Sequence, residues 1–432
     1  MITSFCASGD LMMLEPFPHS YDYKPVSDFL ATSDIKITNL ESVFSNWDCF
    51  ASSYCGGQWV NAKPEILREI NKFGFNMYSC ANNHSMDYSF DGLLSTMQEL
   101  HRRKMKYAGI GANLTDASKA AIYNISKKNK KVALISITST FIDAARAGYE
   151  NADVPGRPGI NPLRVQTVFK VSSSHMQTLR TISEKTFING ERDNARKIGS
   201  LPPEEKGCFN FGGLMFQENK IEGKYTYCNK QDLKRVVNEI EKTCEYADYV
   251  FVSIHAHQIK YNAYTDPDYF MEEFCRACIN AGATAVIGCG THQLQPIEIY
   301  NGKPIFYSLG NFIFQLHKIT KLPADFWDKY NIPTDYSVSE ALAIRNKNGN
   351  VGLENDIKNY LSVIPYMEFD NDDMVKLFLK PIDLNFDNDN IFKGLPTNMH
   401  PHRAELLTDH LNEISRCYGV SLRFDGEHII YK

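Results

Sequence analysis

Short apolar runs alternate with amphipathic stretches through the first half of the chain. Ile2–Ala7, Ile35–Leu40, Phe75–Cys80, Lys106–Ala108 and Lys131–Ile137 have the length and apolar content of buried strands. Pro64–Lys72 and Ser89–Arg103 carry helical spacing, and Pro64 suits a first turn, where its missing N–H would be unpaired in any case. This alternation predicts an α/β core with helices outside. From Arg146 to Gln231 the pattern weakens into polar, Gly- and Pro-rich segments around a helically spaced run, Val165–Lys185. That segment reads as an insertion or lid over 146–231. Core signals then resume, with helices over Asp232–Tyr246 and Asp266–Ala281 and strands over Tyr249–His255 and Thr284–Gly288. A strand hairpin is expected over Pro296–Phe314, turning at Asn301-Gly302. Alternation over 335–395 predicts further strands, and His402–Tyr418 a closing helix stopped by Gly419. The expected division is a core over 1–320 and a C-terminal β-rich extension over 321–432 packing on it.

Composition narrows the class. The formal net charge of −5 gives no reason to expect nucleic acid or anionic membrane as a partner. No stretch approaches the roughly 18 apolar residues of a membrane span. Met1–Asp10 lacks the basic and apolar regions of a leader and reads as a first strand. The 11 cysteines are odd in number and scattered, which predicts a reducing, cytoplasmic setting without structural disulfides. Cys275 and Cys278 form a C-x-x-C inside a helical pattern, where packing is expected rather than redox chemistry.

Candidate chemistry concentrates just after the apolar strands. The stretches are Gly9-Asp10, Asn39-Leu40-Glu41, Asn83-His84, His255-Ala256-His257 and Gly288 to His292. In α/β sheets the carboxyl ends of strands share a crevice, so these groups are expected to meet. A mixture of carboxylate, amide and imidazole suits manganese, iron or zinc better than calcium. Asn83 offers an amide oxygen to a cation, and His84 can then stand over a substrate as proton donor. Glu41 or Asp10 can bridge two ions, which together activate water and clamp a developing oxyanion.

These motifs resemble the CapA (poly-γ-glutamate capsule biosynthesis) proteins of the calcineurin-like metallophosphoesterase superfamily. The matching text is Gly9-Asp10, Asn39-Leu40-Glu41, Ala81-Asn82-Asn83-His84 with Asp87 and Gly92-Leu93, Gly156 to Pro162, and the run Gly288 to Phe314. The resemblance implies a four-layer α/β/β/α sandwich with a two-metal site between loops. It implies Asp10, Glu41, Asn83, His255 and His292 as metal ligands and His84 as the catalytic histidine. The sequence departs from the superfamily pattern at Met12, where a histidine is usual, and at Cys289 and Gly290 in the last motif. Cys289 can ligate as a thiolate, which favours a softer metal such as zinc. His257 shares a face with His255 and either compensates for the missing histidine or faces the substrate.

Supporting residues complete the expectation. Asp87 either orients His84 or caps the helix starting near Ser89. Arg157 and Arg164 can clamp a carboxylate or phosphate, and Asn311 can close the site against substrate. Trp47, Phe50, Tyr54 and Trp59 either line a substrate cleft or pack a loop. The leading expectation is a metal-dependent hydrolase using metal-activated water, with His84 as general acid/base and a small-molecule or peptide substrate. The alternatives are a metal-dependent enzyme acting on a peptide or amide, by polyglutamate-type hydrolysis, transfer or epimerisation, and a non-catalytic capsule-assembly protein.

Overall fold

Neighbouring residues of the first strand, Thr3–Met12, enter different cores. Phe5 and Ala7 join an apolar cluster with Val132, Leu134, Tyr249 and Phe251, while Cys6 joins one with Val26, Leu30, Ile66 and Leu93. This is the period-two alternation of a strand buried on both faces. The same split recurs at Lys130–Thr138, where Val132 and Leu134 face one way and Ala133, Ile135 and Ile137 the other. The computed structural model, which describes residues 2–55, 57–387 and 391–432, therefore stacks two sheets face to face. Helices Lys24–Ala31, Ile66–Ile70 and Ser89–Arg102 cover one outer face. Helices Lys230–Cys244 and Tyr269–Asn280 cover the other, with Cys275 and Cys278 as packing residues. The architecture is a four-layer α/β/β/α sandwich.

The larger sheet has 10 strands. Its centre is parallel: Thr3–Met12 pairs with Ile35–Leu40, which pairs with Met77–Ser79 and then Lys106–Ala108. The second sheet has 6 strands, with Lys130–Thr138, Tyr249–His255 and Ala285–Cys289 parallel at its middle. Residues after 146 add a separate sheet of 4 strands, Cys208–Phe211, Leu214–Glu218, Val165–Val171 and Gly223–Cys228.

Three local expectations are corrected. Val165–Lys185 is not one helix: Val165–Val171 is a strand, and Ser173–Thr186 is the helix. Pairing on both sides, to Leu214–Glu218 and Gly223–Cys228, outweighs the helical spacing. The hairpin ends early. Ile297–Tyr300 and Lys303–Phe306 pair around Asn301 and Gly302, both at positive φ, but Asn311–Phe314 crosses to the larger sheet. There it runs parallel to the first strand, with Asn311 opposite Asp10. Within 335–395, Val338–Arg345 is a helix closed by a Ser337/Glu340 capping box. The strands of that region are Leu361–Asp370 and Asp373–Asp383, and the first pairs antiparallel with Thr3–Met12 (388–390 lie outside the described residues).

Candidate metal centre

The candidate donors come from the C-terminal ends of parallel strands in both sheets. Asp10 sits where the pairing register shifts, with its N–H donating to the Gly310 carbonyl at 2.9 Å. Gly9 permits that approach, since a Cβ there would stand 1.9 Å from the Gly310 oxygen. Glu41 follows Ile35–Leu40 directly. Asn83 and His84 lie in the turn between Met77–Ser79 and the helix from Ser89. From the facing sheet come His255 with His257, and Cys289 with His292. Gly290, at φ 113, lets the chain after Cys289 lie against Ala256, and His292 itself holds a left-handed φ of 60.

Two groups of donors result. Asp10, His255 and Cys289 offer atoms within 4.8 Å of one another, and Glu41, His257 and His292 do the same. His255 touches both groups. Its Nδ1 lies 3.5 Å from Asp10 Oδ1 and 3.6 Å from Cys289 Sγ. Its Nε2 lies 3.7 Å from Glu41 Oε1 and 3.1 Å from His257 Nε2. His292 Nδ1 stands 3.5 Å from Asp10 Oδ2. His257 is thus gathered with metal-type donors, and Cys289 lies beside Asp10 and His255.

The residues fit a bound cation. Both carboxylate oxygens of Glu41 and the amide oxygen of Asn83 are buried with no hydrogen-bond partner among the described residues. A buried carboxylate without a donor is costly, and a cation supplies what the chain does not. Burial, reinforced by the neighbouring Asp10 charge, pushes the Glu41 carboxyl well above 4.5. Burial also acts to raise Asp10, but its hydrogen bond to His255 and the charges of His255 and His292 hold it below the ordinary carboxylate range. Burial, with His255 and His292 alongside, pushes His257 well below 6.5, which favours the neutral imidazole that ligates metals. Carboxylate, imidazole, amide and thiol together suit a divalent transition metal.

Around these donors lies a set of fixed partners. Asn39 Nδ2 donates to Asp10 Oδ1 at 2.7 Å, and the Gly290 N–H donates to Asp10 Oδ2 at 2.9 Å. Asn82 Nδ2 donates to the Leu40 carbonyl at 2.9 Å, and Asn82 Oδ1 accepts from the His84 N–H at 3.1 Å. Asn39 and Asn82 had no role from sequence alone, although both stand within the motifs; their signal was a buried amide beside each carboxylate or imidazole. Asp87 makes no cap, since the helix N-cap is Tyr88 without a side-chain bond. Its Oδ2 instead accepts from His84 Nδ1 at 2.7 Å and from the Val60 N–H at 2.8 Å.

Other expected residues fall elsewhere. Arg157 donates from Nε to the Arg146 carbonyl at 2.9 Å and serves its own loop rather than the donor cluster. Arg164 forks onto buried Asp232 at 2.7 and 2.9 Å, tying the insertion to the helix Lys230–Cys244. Asn311 is fully buried and has no face for a substrate. Its Oδ1 lies 2.9 Å from His292 Nδ1, and its Nδ2 donates to the Asn359 carbonyl at 2.8 Å. Asn311→Ala is therefore expected to weaken metal binding about 10- to 100-fold by freeing the His292 ring. Competition with a chelator measures this; unchanged affinity would show that His292 needs no such support.

Two stacked sheets with a cluster of metal-type donors at their shared strand ends form the four-layer α/β/β/α sandwich that the resemblance to metallophosphoesterases implied. Residues 4–316 match the model of the bacterial capsule synthesis protein PGA_cap family, and the chain belongs to it. The uncharacterized protein y4sH of Sinorhizobium fredii is 28% identical over 432 residues, covering 97% of this chain and 90% of that protein. The PGA biosynthesis protein CapA of Bacillus subtilis is 26% identical over 256 residues, 59% of this chain and 47% of that one. A crystal structure described as a novel phosphatase from Mycoplasma pneumoniae aligns over 91% of this chain and 98% of its own, at TM-score 0.40 and 10% identity. That likeness is too distant to bear on fold or chemistry.

Proposed function

We propose that the protein is a metal-dependent hydrolase centred on Asp10, Glu41, Asn83, His255, His257, Cys289 and His292. The observation that carries this is Glu41: both of its oxygens are buried with no hydrogen-bond partner among the described residues, and Oε1 lies 3.8 Å from His84 Nε2 and 3.7 Å from His255 Nε2. We assign two divalent ions, from manganese, iron and zinc, to the two donor groups. When bound, such ions bring coordinated water toward a pKa of about 7 and stabilise a developing oxyanion. The protein's own contribution is a placed proton. Asp87 accepts from His84 Nδ1, which leaves Nε2, 3.8 Å from Glu41 Oε1, to exchange a proton with the leaving atom.

The substrate class stays a small molecule or a peptide. The name of the Bacillus subtilis relative, a PGA biosynthesis protein, supports an amide or peptide reading beside the phosphoester one. The full donor set favours a working centre over a scaffold role in assembly. Among the described residues no helix is long and apolar enough to cross a membrane. The odd number and scattered placement of the 11 cysteines in the sequence support a reducing, cytoplasmic setting.

The test is elemental analysis of the purified protein, followed by assays with bis-aryl phosphates and glutamyl peptides with and without manganese. Bound transition metal and metal-stimulated turnover of either class are expected. A metal-free protein with no gain on adding manganese would end the proposal.

A further inference from the structure

A cavity of about 560 Å³ opens where the chain continues past the strands that carry Asp10 and Asn311, within the range of about 300–1,000 Å³ typical of small-molecule sites. Its position follows from strand register. Thr3–Met12 and Asn311–Phe314 run parallel with Asp10 opposite Asn311. Both chains continue into the cavity wall, as Leu14–Pro16 and Lys318–Lys321. The third part of the wall is the loop carrying Trp47 and Trp59.

That loop is built with care for one aromatic residue. Trp47 holds a φ of 64, a left-handed backbone that a bulky side chain rarely adopts. Its ring meets Tyr88 edge-on at 5.6 Å, and the Lys321 ammonium stands over it at 5.1 Å. Trp59 is packed into the wall, with Nε1 donating to the Ser52 carbonyl at 2.8 Å. Ser52 N–H donates to the Asp87 carbonyl, and Val60 N–H to the Asp87 side chain, each at 2.8 Å. The cavity wall is therefore tied to the residue that holds His84.

The charges of the lining are mixed. Glu15 pairs with Lys318 at 3.7 Å, which leaves Lys63 and Lys321 without a carboxylate partner among the described residues. Glu65 adds a second acceptor. An indole offers a flat apolar face, carboxylates accept from hydroxyls, and two lysines take a negative group. A polyanionic peptide would meet repulsion from Glu15 and Glu65, and a planar base brings fewer donors to two carboxylates than a ring of hydroxyls does. A hydroxyl-rich ring with a single acidic group satisfies all of the lining.

We infer that this cavity binds an anionic sugar, a pyranose bearing a carboxylate or a phosphate, as a recognition subsite for the neighbouring centre. The catalytic part of that statement rests on the hydrolase reading; the binding does not. The full-length protein, with the metal it retains, is titrated with glucuronic acid, glucose 6-phosphate, glucose and a short glutamate oligomer, following heat and tryptophan fluorescence. Saturable binding of at least one anionic sugar is expected, about tenfold or more tighter than glucose, the scale of one charge-assisted hydrogen bond. Whichever anion binds tighter names the acidic group. Lys321→Met and Trp47→Phe should each weaken that binding about tenfold, with metal content and melting temperature unchanged. Glucose binding as tightly as the anions, no saturable sugar binding, insensitivity to both variants, or preferential binding of the glutamate oligomer would each overturn the inference. A protein found without metal would count against the hydrolase reading alone, because the titration reports on the cavity in either case.

Discussion

Glu41→Gln is expected to strip the protein of metal and, at the same time, to make the metal-free chain more stable. The two effects share one cause. Glu41 is fully buried, neither of its oxygens has a donor among the described residues, and Asp10 lies close enough to add its own charge. A bound cation would be held by this carboxylate together with His257 and His292. Residues that merely support ligands cost about 10- to 100-fold in metal affinity when changed, so losing this carboxylate should cost more than about 100-fold in affinity and activity. Without cations the same carboxylate is a buried charge in need of a partner, and a neutral isostere relieves about 1–3 kcal/mol.

The sign of the pH dependence follows. The folded-state pKa of Glu41 lies above its ordinary 4.5, so the folded chain keeps a proton that the unfolded chain has released. That contribution to stability is complete below pH 4.5 and is lost as pH rises through the raised value. The advantage of glutamine should therefore be near zero at acid pH, open above 4.5, and widen with further alkalinity. Comparing the two chelator-treated proteins removes most of the opposite contribution from His257 and His292, whose folded pKa values are lowered. Melting temperatures against pH and metal content by elemental analysis are the measurements. A variant that keeps its metal, or a metal-free variant less stable than its parent at pH 8, would remove Glu41 from the centre of the site.

Much of this site was legible because strand periodicity is local. Cys6 between Phe5 and Ala7 shows a strand buried on both faces, and the donors lie near the ends of such strands or within four residues past them. What the sequence hid is set by contacts between distant segments. His257 follows His255 by two residues, yet the chain leaves its strand after His255, so the two Nε2 atoms meet at 3.1 Å instead of lining one face in parallel. Asn311 read as a substrate contact because the crossing of Asn311–Phe314 into the other sheet has no local signature. That crossing is what lays Asn311 against His292. Val165–Val171 misled for a similar reason, since its helical spacing yields to two strand partners that lie about 50 residues onward. Arg157 shows the opposite error: a charged side chain near a recognisable motif was given a ligand, and its own loop carbonyl claims it.

His84→Ala is expected to lower kcat by about 100- to 10,000-fold, the range for a general acid or base, without loss of metal. The prediction separates His84 from the ligands around it. Its backbone N–H is held by Asn82 Oδ1 and its Nδ1 by Asp87 Oδ2, so the ring is aimed before any substrate arrives. Asp87 is itself fixed by the Val60 N–H, which leaves the imidazole one free nitrogen, Nε2, at the edge of the donor cluster. A group so placed serves the leaving atom, and its value depends on how badly that atom needs a proton. Substrates with an alkoxide or amine leaving group should show the full loss, and nitrophenyl esters, whose leaving group departs unprotonated, a much smaller one. Asp87→Asn should fall between, about 10- to 100-fold down, because the ring remains but its tautomer is no longer fixed. Equal losses across all leaving groups, or a fall in metal content that tracks the fall in rate, would make His84 a ligand or a structural residue and move the proton transfer to another group.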